Sequence, residues 1–288
     1  MRSDLAVRLL VLAALLPLVC ADPAAGQQRP LLTEDPESIG AGLMLLEGGF
    51  EYTWEQPYPV SGLRGHRLRA PILGVSFGVS SIAEVQIDGI SYQRLRVLER
   101  GRGPLSALVN VTGDTAQDME DLVVGTKVRV IPETDFSPSF ALRFATRLPN
   151  AGNESGLGVD SMAFFNTLLV GKSFGPARVV ANVGLGILSD PVRGDRQNDV
   201  VVYGVSVARA LNPFTELVAE VNGHGNTRRG TPPPGTDTSG HLRAGVRYRL
   251  GPLRLDGAVI SGLTSRDGKF GVTAGLTWIF PGLPVPAS

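Results

Sequence analysis

The chain of 288 residues holds one cysteine, three histidines and two tryptophans, and each scarcity excludes something. A lone cysteine, Cys20, allows no internal disulfide and no cysteine-based metal site. The histidines His66, His224 and His241 show no zinc-ligand spacing, so no metal and no other cofactor is expected. Charge of one sign is also missing. Lys plus Arg number 27 and Asp plus Glu number 27, which leaves no electrostatic case for a nucleic-acid partner. Nor is there an apolar run of the roughly 20 residues that a membrane-spanning helix needs. Glycine (36) and proline (21) are plentiful instead, and helix-favouring runs are few, a composition suited to many short strands separated by turns.

The longest apolar stretch, Leu9 to Val19, is flanked by Arg2 and Arg8 and closed by small residues. It reads as a secretory signal peptide, residues 1–26. Cleavage after Ala21, in Val19-Cys20-Ala21, and after Gly26, in Ala24-Ala25-Gly26, both satisfy the small-residue rule, and both stay open. Lipid attachment at Cys20 is the alternative, but bulky Val19 fits that processing poorly.

Beyond residue 40 the hydrophobic pattern has period two, in segments of about ten residues, as a membrane strand requires when alternate side chains meet lipid and lumen. The last segment is the clearest. Phe270, Val272, Ala274, Leu276, Trp278 and Phe280 make one face apolar, while Gly271, Thr273, Gly275 and Thr277 make the other small or polar. Elsewhere charges keep to one parity. Leu242, Ala244, Val246 and Tyr248 oppose Arg243, Arg247 and Arg249; Leu217, Ala219 and Val221 oppose Glu216 and Glu220; Val179, Ala181 and Val183 oppose Arg178. The same alternation sets Phe50, Tyr52 and Trp54 against Glu47, Glu51 and Glu55, and Val85 and Ile87 against Glu84 and Asp88. Ser161 to Lys172 is apolar on both parities, so a strand is expected there with its register open.

Compact connections at Ser80-Ser81, 132–138, 173–176, Asn212-Pro213 and Gly251-Pro252 alternate with longer polar ones at 98–120, 149–158, 189–198 and 223–240. Outer-membrane barrels place short turns in the periplasm and long loops outside. The prediction is an all-β, transmembrane, antiparallel up-and-down β-barrel of about 12 strands in the bacterial outer membrane. It spans residues 40–280, with a periplasmic N-terminal segment at 27–39 and a C-terminal tail at 281–288. Phe136, Phe174, Phe214, Tyr248, Trp278 and Phe280 suit an aromatic girdle on the short-turn side, and Tyr52, Trp54 and Tyr58 one on the other. The terminal aromatic Phe280 resembles the signal read by the barrel-insertion machinery, although a proline-rich tail follows it.

Several stretches resemble one family, the MetA-type phenol-degradation-pathway transporters of the outer membrane. They are Leu32-Thr33-Glu34-Asp35-Pro36-Glu37 leading into Leu45-Leu46-Glu47-Gly48-Gly49-Phe50, then Gly125-Thr126-Lys127-Val128-Arg129, Ala163-Phe164-Phe165-Asn166-Thr167-Leu168-Leu169, Gly184-Leu185-Gly186-Ile187-Leu188, Glu216-Leu217-Val218-Ala219-Glu220-Val221-Asn222-Gly223 and Gly262-Leu263-Thr264. The resemblance implies a channel for small, aromatic or other apolar solutes, and no binding residue is carried over from it.

Catalysis is not expected. Ser239 and His241 share a parity but lack an evident orienting partner, and Asp190, Asp195 and His224 are scattered over loops. The pore-lining candidates are the inward charges: acidic Glu47, Glu51, Glu55, Glu84, Asp88, Glu216 and Glu220, and basic Lys127, Arg129, Arg143, Arg147, Arg178, Arg243, Arg247 and Arg254. Two readings of them stay open. Facing acidic and basic walls put a transverse field across a wet pore, or the same charges pair across a narrow lumen and close it. Residues from Gln27 to Ile39 are a further candidate plug at the periplasmic mouth. Arg64, Arg67, Arg69, Arg102, Arg193, Arg196, Arg228 and Arg229 are expected on external loops, where arginine suits the phosphates of outer-membrane lipopolysaccharide.

Overall fold

Alternation of the kind just described yields thirteen strands in the computed structural model, which describes residues 29–282. In chain order they are β1 (Leu43–Tyr58), β2 (Leu63–Gly78), β3 (Ala83–Arg100), β4 (Thr115–Met119), β5 (Leu122–Ile131), β6 (Ser139–Leu148), β7 (Ala163–Phe174), β8 (Ala177–Ser189), β9 (Gln197–Ala210), β10 (Thr215–Asn226), β11 (Ser239–Leu250), β12 (Leu253–Gly262) and β13 (Phe270–Pro281). The signal segment with Cys20, and the tail from residue 283, lie outside the described residues. Twelve strands pair antiparallel with their neighbours and close through β1 against β13; β4 is a short addition along the outer half of β3. Closure leaves no sheet edge in hydrocarbon, where an unpaired backbone group costs several kcal/mol. Among the described residues no helix is long and apolar enough to cross a membrane.

The exterior is oily. Val183, Leu185, Val205, Leu217, Val246 and Val259 are exposed on consecutive strands, whereas Glu84, Lys127, Glu220, Arg243 and Asp256 are buried inside. A soluble protein inverts this order. A closed barrel with apolar outside and charged inside belongs in the bacterial outer membrane.

On β7, Phe164, Asn166 and Leu168 are exposed, while Ala163 and Leu169 are buried. Both parities are apolar because the inward Phe165 packs on Ala163, Leu188, Val200 and Val202 instead of meeting a charge.

Two bulges shift parity where the sequence shows no break. Glu55 adopts φ 53° between the register steps at Thr53 and Gln56. Tyr58 is thereby turned from the expected outer girdle to the interior, where its hydroxyl donates to Gln93 Oε1 at 3.1 Å beside Leu63 and Leu95. On β3, Gly89 (φ 78°) separates the inward set Glu84, Gln86 and Asp88 from a second inward set, Ser91, Gln93 and Leu95. A Cβ at Gly89 would lie 2.2 Å from the Asp121 carbonyl oxygen, so the close approach also requires glycine.

The first three strands outrun the others, with 16, 16 and 18 residues. The expected loop at 98–120 is therefore partly strand, and β1 and β2 join through residues 59–62 alone, a short connection on the long-loop side. Here the protruding hairpin takes the place of a loop. Leu63, Leu95, Ala116 and Leu157, with Tyr58, Val97, Val109 and Val111, form an apolar core between this hairpin and the 101–114 and 149–158 connections. Asn110 N–H donates to the Glu154 carbonyl across that cap at 2.9 Å.

Candidate functional site

The charged inner face is occupied by the chain's own N-terminal segment, residues 29–39. An extended segment without a strand partner must find acceptors for its N–H groups elsewhere, and the barrel wall provides them. The Leu32 and Thr33 N–H groups donate to the Glu220 carboxylate of β10 at 2.9 and 2.7 Å. Glu34 N–H donates to Asn182 Oδ1 of β8 at 2.7 Å, and Asn182 Nδ2 returns a bond to the Glu34 carbonyl at 2.8 Å. Ile39 N–H donates to Glu84 Oε2 at 2.8 Å.

Side chains complete the attachment. Glu34 lies 3.3 Å from Lys127 Nζ and 2.7 Å from Arg143 Nε. Lys127 is fully buried, and also reaches Glu84 at 3.1 Å and the Asp35 carbonyl at 3.0 Å. The Asp35 carboxylate accepts two bonds from Arg178, and Glu37 accepts one from Arg129. At the segment's start, Arg29 pairs with Asp256 at 3.3 Å, and its carbonyl accepts from Arg247 Nε at 2.9 Å and from Arg254 Nη2 at 3.1 Å.

The remaining candidates pair with the wall or with each other. Glu51 sits between Arg243 at 3.3 Å and Arg67 at 2.9 Å; Glu216 meets Arg247 at 2.9 Å; Asp88 meets Arg143 at 3.5 Å; Arg147 meets Asp121 at 3.4 Å. Glu47 accepts from Arg29 N–H at 3.3 Å and from Thr277 at 3.2 Å. Glu55 stands apart, on the bulge, paired with Arg64 and Lys269.

Sequence reasoning missed Arg67 and Arg69. Expected on an external loop, they lie on β2 and turn inward to Glu51, with Arg69 also on Glu120. It also left out Asp256, Gln86 and Asn182. All three share the inward parity of a charged neighbour, Asp256 with Arg254, Gln86 with Glu84 and Asp88, and Asn182 with Arg178, so the alternation already carried their signal.

The segment divides the interior. A cavity of about 480 Å³ lies on one side of it, with an apolar wall of Val123, Phe165, Leu169 and Val202 and polar groups from Asp88, Arg143 and Asn222. A second, of about 520 Å³, lies at the short-turn end and is lined by Asp35, Arg178, Glu216, Arg247 and Arg254. Leu31 lines both. Space for a small organic molecule therefore exists on either side of the segment.

The serine–histidine pair has an acid beside it, in an order unsuited to nucleophilic catalysis. Asp267, in the loop after β12, accepts directly from the Ser239 hydroxyl and from Gly240 and Thr264 N–H, while His241 Nε2 stands 3.7 Å from the same carboxylate. A serine nucleophile needs histidine between it and the acid. Asp267 instead clamps the loop to β11. Burial tends to raise its pKa, but the hydrogen bonds from Ser239, Thr264 and Gly240 outweigh that and hold it below the ordinary aspartate value. Asp190 caps its own loop through Val192 and Arg193 N–H, and His224 bonds to the Asp237 carbonyl.

No family model matches the chain, and no curated protein does. Among solved structures, the fold is similar to that of the COG4313 outer membrane channel from Pseudomonas putida F1, with a TM-score of 0.63 and 12% identity over 85% of this chain and 98% of that one. The NanC porin aligns with a TM-score of 0.49 and 9% identity, over 83% of this chain and 100% of that one. At 12% identity the likeness to the COG4313 channel establishes the architecture, a closed twelve-stranded barrel of the outer-membrane kind.

Proposed function

We propose that the protein is an outer-membrane channel for small solutes, aromatic or other apolar compounds among them, and that it performs no catalysis. The observation that carries this reading is the pair of cavities inside one closed barrel, separated only by a segment that is not part of the wall. A solute crossing the barrel would pass from one cavity to the other when that segment shifts. The apolar wall around Phe165, Leu169 and Val202 suits a ring or short hydrocarbon body, and the facing Arg143 and Asp88 suit a polar substituent. The resemblance of the sequence to MetA-type transporters supports the same solute class.

The full chain reconstituted in a planar bilayer should give stepwise current, and Arg143→Gln or Glu51→Gln should shift its ion selectivity toward cations or anions respectively, because each removes one sign of charge from the lumen. Selectivity unchanged in both variants would overturn the reading.

A second reading, a closed structural barrel, draws on the pairing of nearly every lumen charge and on the apolar cap over the long-loop end. It predicts silent bilayers both for the full chain and for a chain lacking residues 27–39.

A further inference from the structure

The bulge at Gly89 has a second result on the outside of the wall. Above it, Tyr92, Arg94 and Arg96 of β3 share the outward face, and all three are exposed. Neither arginine forms an ion pair or hydrogen bond with any described residue, unlike Arg64, Arg67 and Arg69 on the adjacent strand. The row across the sheet at Arg94 runs Tyr52, Leu68, Arg94, Gln117, and the next runs through His66, Arg96 and Thr115. No carboxylate stands in either row. Two adjacent, unneutralised guanidinium groups thus face away from the barrel beside apolar and aromatic neighbours.

Their height fixes what they meet. A strand rises about 3.3 Å per residue, and a tilt near 40° leaves about 2.5 Å of that along the membrane normal. Arg94, eleven steps beyond the short-turn end of β3 at Ala83, therefore stands roughly 28 Å up and Arg96 roughly 33 Å, just above an apolar band about 25 Å tall. The aromatic cluster marks the same level: Tyr52 and Trp54 make an edge contact at 4.7 Å, and Trp54 meets Phe270 at 5.5 Å. Aromatic side chains settle where acyl chains give way to headgroups. An arginine on the lipid face is costly at mid-bilayer but costs close to nothing at this level.

We infer that Arg94 and Arg96 form a binding site for a phosphate of lipid A, the anionic lipid of the outer leaflet. One phosphate sits between the two guanidinium groups, which present paired N–H donors to its oxygens. The acyl chains then run down over Leu68, Tyr92 and Met119, which are exposed on the same face below and beside the pair. The long-loop end, where the pair lies, is the external end, so the phosphates that meet it belong to the outer leaflet. The assignment is independent of whether the lumen conducts.

The full-length protein, extracted in a mild detergent, is titrated with bisphosphorylated hexa-acyl lipid A and bound lipid is counted by native mass spectrometry. The site predicts saturable binding of one lipid that weakens at least tenfold in R94Q/R96Q and at least tenfold for dephosphorylated lipid A on the unaltered protein. R209Q/R249Q, at the short-turn ends of β9 and β11, should bind as the parent does. Equal affinity in R94Q/R96Q, equal affinity for the dephosphorylated lipid, or displacement by phosphatidylglycerol at the same concentration would each overturn the assignment. Should R94Q/R96Q fail to fold, the dephosphorylated-lipid comparison on the parent protein decides alone.

Discussion

Neutralising two carboxylates of the lumen segment, in Glu34→Gln with Asp35→Asn, should loosen it without touching the wall. Glu34 holds Arg143 and the fully buried Lys127, and Asp35 holds Arg178. Breaking a buried pair costs about 3–5 kcal/mol when it strands a charge. Here each cation keeps another partner: Lys127 keeps Glu84, Arg143 keeps Gln86 and Asp88, and Arg178 keeps Glu133. The lower end, about 3 kcal/mol, therefore applies at Glu34, and about 1 kcal/mol at the more exposed Asp35–Arg178 ion pair, where solvent screens the attraction. A total of about 4 kcal/mol shifts an in–out equilibrium of the segment by close to a thousandfold, about 1.4 kcal/mol being needed per factor of ten. The open fraction of the double variant should therefore exceed that of the parent by up to about a thousandfold, short of saturation. Single-channel recording reads this as a rise in open probability at unchanged unit conductance. An open probability unaltered in the double variant, with the barrel still folded by heat-modifiable migration, would refute the reasoning.

Two further outcomes follow from the same contacts. Lys127→Met leaves Glu34 and Glu84 buried without their shared cation and should destabilise the folded barrel by about 3 kcal/mol in urea titrations of vesicle-inserted protein, whereas adding Glu84→Gln should restore part of that loss. A double variant no better than Lys127→Met would contradict the pairing. Asp267 governs the loop after β12: its pKa is lowered in the folded protein, so the stability it contributes is complete above the ordinary aspartate value and is lost as pH falls through the lower, folded one. The Gly240 and Thr264 amides, which both donate to it, should stay protected from hydrogen exchange at pH 5–7 and lose protection only in more acid solution, while Asp267→Asn should expose them at neutral pH.

The barrel was legible because its physics is periodic. Lipid on one side and charge on the other impose alternation on Phe270 to Phe280, and nothing else in the chain competes with it. What stayed hidden was aperiodic. The bulges at Glu55 and Gly89 insert one residue each, and so reverse the facing of Tyr58 and of Arg94 and Arg96 without altering composition. Arg67 and Arg69 looked like loop residues because the β1–β2 hairpin extends well beyond the other strands. The charged parity did pick out groups such as Glu220 and Lys127, but pairwise alternation says nothing of what lies inside a cylinder. Leu32 to Ile39 carry no strand pattern, and only the three-dimensional closure brings Glu220, Asn182 and Glu84 around their N–H groups.

A disulfide between the lumen segment and the wall tests the central claim most directly. A Cβ built on Gly204 of β9 lies 3.5 Å from the Thr33 Cβ, within the span a disulfide bridges. In Thr33→Cys with Gly204→Cys, oxidation should link the two and hold planar-bilayer current at its floor, and a reductant added to the same membrane should release stepwise openings. Failure of the two cysteines to join in the folded barrel, or undiminished current through the oxidised protein, would contradict the account.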